Sequence, residues 1–193
     1  MNLVDCKTAC RTLKSGLPII FPTDTLPAIG CIPKFSNIIY DFKKRDKNKP
    51  LILMGSEHKH LTDYVHESAK EDYENLASKY WPGALTIVIP ASAKQTAHLT
   101  SNDQTIGLRI PNSNIAQSLL RETGPLLTSS ANISGFKGSI TAEGIALDFP
   151  TIEILGPIPW GKSSGKASTI IFWKNSGNWK LIREGEVIVR ELY

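Results

Sequence analysis

The sequence predicts an α/β (α+β) domain. Its core is a twisted sheet of mixed parallel and antiparallel strands, with helices packed on it and a concave ligand cavity. Three observations carry this. Apolar runs of strand length alternate with helical patterns through the first two-thirds of the chain, and the last third is strand-rich. With 193 residues, 41% hydrophobic and 21% charged, the chain suits one domain with a substantial core. Hydroxyl-rich and cationic segments follow the apolar runs, at the strand ends where α/β proteins place ligands. No repeat, low-complexity tract or linker divides the chain, so residues 1–193 are expected to form that single domain.

The elements follow in order. Cys6 and Cys10, four apart, lie on a first helix. GLPIIFPT (Gly16 to Thr23) is a short apolar run ending in proline, a buried strand. In SNIIYDFKKR, Ile38, Ile39 and Phe42 share a helical face and Ser36 can cap. PLILMG is a strand, and helical pattern covers Glu57 to Tyr80 with a break near His66 to Ser68. ALTIVIP and TIGLRIP are strands; Ala91 to Asn102 between them reads as a mobile loop. SNIAQSLLRETG is a helix capped by Ser113 and stopped by Gly124. PLLTSSA is a strand running into a serine-rich loop, and TAEGIALDF is a helix capped by Thr141. TIEIL, ASTIIFW, NWKLIRE and EVIVREL read as strands, the later ones antiparallel through a turn at Asn175 to Asn178.

Bulk properties bound the function. A net charge of +4 favours anionic partners but is far from that of a histone-like DNA binder. No apolar run approaches the roughly 20 residues that span a bilayer. The start, MNLVDCKTACRTLK, is too polar for a signal peptide, so a cytoplasmic location is expected. Three cysteines give no disulfide scaffold, and Cys6 and Cys10 read as small buried hydrophobes rather than metal ligands. His58, His60 and His66 read as solvated surface.

Four segments carry candidate chemistry. FKKRDKNKP, Phe42 to Pro50, holds five cations in nine positions. Lys43, Arg45, Lys47 and Lys49 lie at a helix end that leads into a buried strand; they are either a solvated helix terminus or ligands for an anion. TSSANISG, Thr128 to Gly135, turns an apolar strand abruptly into hydroxyls and an amide, the composition of a ligand rim. FPTDTLPAIG places Thr23, Asp24 and Thr25 in a loop stiffened by Pro22 and Pro27; it is an ordinary turn or a polar loop facing a small zwitterion. Arg109 sits inside the apolar strand TIGLRIP and requires either a structural acid or a bound carboxylate or phosphate. A further stretch, GPIPWGKS (Gly156 to Ser163), matches a P-loop literally. Pro157 and Pro159 lack the N–H groups that such a loop donates, and the sequence after it is strand-like, so it is set aside.

Taken in register, PTDTLPAIG, KKRDKNKPLIL, WPGALT (Trp81 to Thr86), GLRIP, TSSANISG, ASTII and LIREG resemble the YrdC-like family over nearly the whole chain. Two departures stand out: Pro27-Ala28 replaces a tyrosine-glycine, and Asp46 replaces a proline. The chain ends at Tyr193 and so resembles the short, single-domain form. The resemblance implies a nucleotidyltransferase that condenses L-threonine, bicarbonate or CO2, and ATP, with Mg²⁺, into threonylcarbamoyl-AMP and pyrophosphate. The product would feed a tRNA modification completed by partner proteins, with transient RNA contact.

By the same resemblance Lys43, Arg45, Ser130 and Asn132 are the catalytic group. Lys49, Thr105, Ser139 and Arg183 join them around ATP, while Thr23, Arg109, Thr128 and Ser168 hold threonine. No protein side chains dedicated to a metal are implied, which suits catalysis by positioning and charge neutralisation. Two other functions fit the same residues: a non-catalytic module binding structured RNA, or a paralogue adenylating a different carbamate. The aromatic content of 8%, mostly inside apolar segments, weighs against single-strand stacking.

Overall fold

A computed structural model describes residues 1–93 and 104–192. Among them, ten strands form one sheet. In chain order they are β1 (Asn2–Val4), β2 (Ile19–Phe21), β3 (Ala28–Cys31), β4 (Ile52–Met54), β5 (Leu85–Pro90), β6 (Thr105–Arg109), β7 (Leu126–Ser130), β8 (Glu153–Leu155), β9 (Thr169–Asn175) and β10 (Asn178–Arg183). Across the sheet they run β1-β8-β2-β3-β7-β4-β6-β5-β9-β10. Four parallel pairs (β1/β8, β2/β8, β4/β6, β5/β9) stand among five antiparallel ones, the mixed sheet that the sequence pattern predicts.

Six α-helices are described: α1 (Cys6–Lys14), α2 (Asn37–Lys43), α3 (His58–Thr62), α4 (Lys70–Tyr80), α5 (Asn114–Thr123) and α6 (Ala142–Asp148). Period-two alternation gives the sheet two apolar faces. One presents Leu53, Ile87, Leu108, Leu127 and Ile171 to a core shared with Ile39 and Tyr40 of α2, Leu61 of α3, Tyr73 and Leu76 of α4, and Ile145 of α6. On the other, α1 and α5 bring Ala9, Leu13, Ala116 and Leu119 against Ile19, Phe21 and Leu126. Packing of that second face by α1 and α5 stops at Ala28 and Met54. The rest of the face, over β4, β6, β5, β9 and β10, curls into a hollow.

Several expected signals hold. Ser113 and Thr141 accept from the backbone N–H of Ala116 and Gly144, and Gly124 ends α5 with φ +75°. The β9–β10 hairpin turns at Gly177, φ +68°. The helical stretch from Glu57 divides near the expected break, where a 3₁₀ turn at Glu67–Ala69 separates α3 from α4. The expected loop over Ala91 to Asn102 falls mostly on residues 94–102, outside the described residues.

Other readings are corrected. Ser36 makes no side-chain cap bond; a 3₁₀ turn at Pro33–Phe35 leads into α2, so Ser36 is already helical (φ −52°, ψ −32°). The buried residues of α2 are Ile39, Tyr40 and Lys43, with Ile38 and Phe42 only half-buried. PTDTLPAIG is not a loop to its end: Ala28–Cys31 pair with both β2 and β7. EVIVREL is not a strand. Both neighbours of β9 are taken, by β5 and β10. Thr169 instead bonds the Val187 backbone through its hydroxyl, and Arg190–Leu192 close in a 3₁₀ turn. Cys6 and Cys10 are half-buried beside the α1–α5 cluster, and Cys31 is buried. His58 is not solvated surface; it is half-buried, with its ring 4.9 Å from that of Tyr73.

Candidate active site

The cavity follows from strand register. Thr128 of β7 lies opposite Gly30 and Ile52, Ile52 opposite Gly107, Gly107 opposite Val88, and Val88 opposite Phe172. Because side chains alternate, this cross-sheet row shares one face with Ser130, Met54, Arg109, Thr86 and Ile170. The hollow above the row measures about 350 Å³. Its floor is apolar, with Ile52, Val88, Ile170 and Phe172 around Gly107, where a Cβ would meet only Thr86, Ile52 and Val88 at 3.5–3.7 Å. Seven hydroxyls (Thr25, Thr86, Thr105, Thr128, Ser129, Ser130 and Ser168) and three guanidiniums (Arg45, Arg109 and Arg183) also line it; among the described residues no carboxylate does.

The three arginines differ. Arg109 is buried and anchored by protein: Nε donates to the Gly83 carbonyl at 3.0 Å, Nη1 to Thr25 Oγ1 at 2.8 Å and Nη2 to Asp24 Oδ1 at 2.7 Å. Of the two alternatives for this residue, the structural acid is present, and it ties β6 to the β2–β3 turn. Burial lowers the Arg109 pKa, and Asp24 opposes that shift.

Arg45 is half-buried and Arg183 is exposed, and neither has an ion pair among the described residues. Arg45 donates to the carbonyls of Lys49 (3.3 Å) and Pro50 (3.1 Å). Arg183 donates to the Ser168 carbonyl (2.9–3.1 Å) and to Ser168 Oγ (3.2 Å). Burial lowers both their pKa values; the charge of Arg45 lowers that of Arg183 further. Two cations of one cavity, hydrogen-bonded to carbonyls and a hydroxyl and without an ion pair among the described residues, create a site that an anion relieves.

The remaining candidates separate into two groups. Arg45, Thr105, Arg109, Thr128, Ser130, Ser168 and Arg183 line the one cavity although they come from five separate chain segments. Lys43, Lys49, Asn132, Ser139 and Thr23 are not in its lining. Lys43 is 1% exposed. Its ammonium donates to the Ser130 carbonyl, to the Asn132 carbonyl at 2.6 Å and to Asn132 Oδ1 at 3.4 Å. The physical reason is its position on α2: four residues after Ile39, it shares the buried side of the helix. Burial, with Arg45 adding to it, pushes its pKa down to about 7.

Asn132 continues that network, accepting from Ser130 Oγ and donating to the carbonyls of Ile133 and Phe136 at 2.9 and 2.7 Å. Thr23 is buried in its own turn, bonded to Leu26 O and Thr25. Lys49 is exposed, and Ser139 Oγ caps the Thr141 N–H. Asp46 Oδ1 accepts from the Asn48 N–H, and its charge opposes the burial-driven lowering of the Arg45 pKa. Pro27-Ala28 lies at the cavity edge, Ala28 in its lining and the Pro27 carbonyl bonded to the Ala131 N–H.

Thr25, read in the sequence as part of a polar loop, holds Arg109. One cavity hydroxyl escaped the sequence: Thr86, whose Oγ1 shares a 2.8 Å bond with Ser168 Oγ. The available signal was a polar residue at an inward strand position next to WPG. Gly185 also escaped notice. A Cβ there would lie 2.4 Å from backbone atoms of Ala167, Ser168 and Thr169, so only glycine lets the chain after β10 pass that close.

Comparison with known proteins follows from this geometry. A family model for Sua5, YciO and YrdC, described as "Telomere recombination", matches residues 11–185. The threonylcarbamoyl-AMP synthase of Buchnera aphidicola subsp. Baizongia pistaciae is 30% identical over 192 residues, covering 96% of this chain and all of the relative. The Bacillus subtilis protein of the same name is 31% identical over 169 residues, covering 84% of this chain but 48% of the relative. P. abyssi Sua5 complexed with L-threonine is 27% identical with a TM-score of 0.86, covering 96% of this chain and 58% of that one. E. coli YciO shares the fold, with a TM-score of 0.81 at 22% identity over all of this chain and 97% of its own. The chain therefore spans the whole of one relative and about half of the longer ones.

Proposed function

The chain belongs to the Sua5–YciO–YrdC family, and from that premise we propose that it makes threonylcarbamoyl-AMP from L-threonine, bicarbonate or CO2, and ATP. The observation that carries the reading is the pair of arginines, Arg45 and Arg183, that line a hydroxyl-rich cavity with no ion pair among the described residues. The names of the relatives and the L-threonine bound by P. abyssi Sua5 support it.

The chemistry needs positioning more than a protein nucleophile. The threonine amine takes up CO2 to give a carbamate. A carbamate oxygen attacks the α-phosphorus of ATP, the bond from that phosphorus to the α–β bridging oxygen breaks, and pyrophosphate leaves with the electron pair. Arg45 and Arg183 hold the phosphates and stabilise the charge gathering on pyrophosphate. Ser130 and Thr105 stand on the nucleotide side. Thr128, Ser168 and Thr86 stand on the threonine side with Arg109, which uses three of its five N–H groups on protein and keeps two for a carboxylate. Lys43 and Asn132 act through Ser130, by fixing the strand end that carries it.

Mg²⁺ enters this reading with the nucleotide. Among the described residues the cavity lining has hydroxyls but no carboxylate, and the nearby Asp24 is committed to Arg109 and the Asn112 N–H. The residues thus fit a metal whose ligands are phosphate oxygens and water, and not one held by the protein. When bound, it would neutralise phosphate charge.

The product would serve tRNA modification in the cytoplasm, passed on by partner proteins, with the exposed Lys44, Lys47 and Lys49 available to RNA phosphates. No helix among the described residues is long and apolar enough to cross a membrane. The test is pyrophosphate release from ATP, Mg²⁺ and bicarbonate with each amino acid in turn. Release dependent on threonine is expected. Release with a different amino acid would indicate a paralogue, and RNA binding without any release would indicate a non-catalytic module.

A further inference from the structure

We propose that the hollow between the Ser56–His58 segment and α4 is a second ligand site, one that takes a small organic cation bearing N–H donors, a guanidinium or a primary ammonium. It is a separate space of about 500 Å³. The strand end between Arg109 and Ile110 divides it from the arginine cavity: the Gly55 N–H donates to the Arg109 carbonyl, and the Gly83 N–H to the Ile110 carbonyl. The inference does not depend on the reaction assigned to that cavity.

The first reason is unmet hydrogen bonding. Ser56 is 8% exposed and lines the hollow, yet its Oγ has no partner; the buried Nε2 of His58, also in the lining, has none. Buried polar atoms are nearly always bonded, so two orphans in one hollow mark a place for an absent partner. The second reason is charge. Glu57 and Glu74 lie in the lining with no Lys or Arg. Lys59 pairs with Glu57 at 2.9 Å from outside the lining, whereas Glu74 has no ion pair among the described residues.

The third reason is the aromatic wall. Trp81 is fixed by its own Nε1–H, which donates to the Leu85 carbonyl at 2.7 Å, and it packs against Tyr73 and His58 with centroids 5.7 and 6.3 Å away. Burial lowers the His58 pKa, which keeps the imidazole neutral and able to accept. Carboxylates, a hydroxyl, a neutral imidazole and an indole form a set of acceptors and π-faces. That set selects a cation with N–H groups over an anion. No group of three or more His, Cys, Asp or Glu converges among the described residues, so a bare metal ion is the poorer occupant.

The test is an NMR titration of the full chain with methylguanidinium and with butylammonium, using N-methylurea and butanol as uncharged controls. One or both cations should shift the Ser56 and His58 amides and the Trp81 indole N–H saturably, with a Kd of about 1 mM or tighter. Neither control should do so. Ser56→Ala removes an unbonded hydroxyl and Glu74→Gln alters an exposed residue, so both variants should fold; each should weaken binding about tenfold, the scale of one charge-assisted contact. Absence of saturable shifts, equal binding of the controls, wild-type affinity in both variants, or displacement of the cation by threonine or ATP would each overturn the proposal.

Discussion

Replacing Lys43 with methionine separates two roles for the same side chain. The sequence suggests a phosphate ligand; the structure makes it an internal staple between α2 and the end of β7. Methionine fills much the same space, so the change mainly deletes donors. Two close bonds to backbone carbonyls are lost, each worth about 1.5–3 kcal/mol when the donor is charged. The burial cost that pushes the ammonium down to about 7 offsets part of that. The net expected loss is about 1–3 kcal/mol in urea unfolding at neutral pH, with an unchanged m-value.

The sign of the pH dependence follows from linkage. The folded pKa lies below the unfolded 10.5, so between about 7 and 10.5 the unfolded chain binds more protons, and folding gains stability as pH rises. The advantage of wild type over Lys43→Met should therefore widen from pH 7 to pH 10, because the variant lacks this titration. An unfolding midpoint equal to wild type, together with complete loss of adenylate formation, would refute the staple and restore the phosphate ligand.

Other consequences are checked in similar ways. Asp24→Asn leaves the Arg109 charge, 3% exposed, without its acid; a loss of about 2–4 kcal/mol is expected, and an unchanged midpoint would show that Arg109 is compensated elsewhere. Gly185→Ala should cost at least about 2 kcal/mol, since its Cβ would fall 2.4 Å from backbone rather than from a flexible tip. Thermal denaturation reads this directly, and wild-type stability would contradict the close passage.

Much of the fold was written locally. Buried strands announced themselves as apolar runs such as LILM, LTIVI and TIIF, and caps at Ser113 and Thr141 need only three residues of context. Elements lacking such local marks were missed. The strand β1 has three residues, β3 hides behind Pro27, and EVIVREL alternates without being a strand: Val189 is buried and Ile188 exposed, beside a β9 whose two neighbours are already β5 and β10.

The site divides along the same line. Strand-end hydroxyls such as Thr128 and Ser130, and Ser168 just before β9, were legible because a polar residue at either end of an apolar strand is locally conspicuous. The direction of Lys43, the pairing of Arg109 with an acid 85 residues away, and the inward position of Thr86 depend on register and helix phase that no short window contains.

The central claim is that Arg45 and Arg183 form an anion clamp, and calorimetric titration of ATP into wild type and into the double variant Arg45→Gln/Arg183→Gln tests it most directly. Wild type should bind one ATP with an affinity that falls as salt rises; the double variant should bind at least about a hundredfold more weakly, roughly 3 kcal/mol. Equal ATP affinity in the two proteins would contradict the claim.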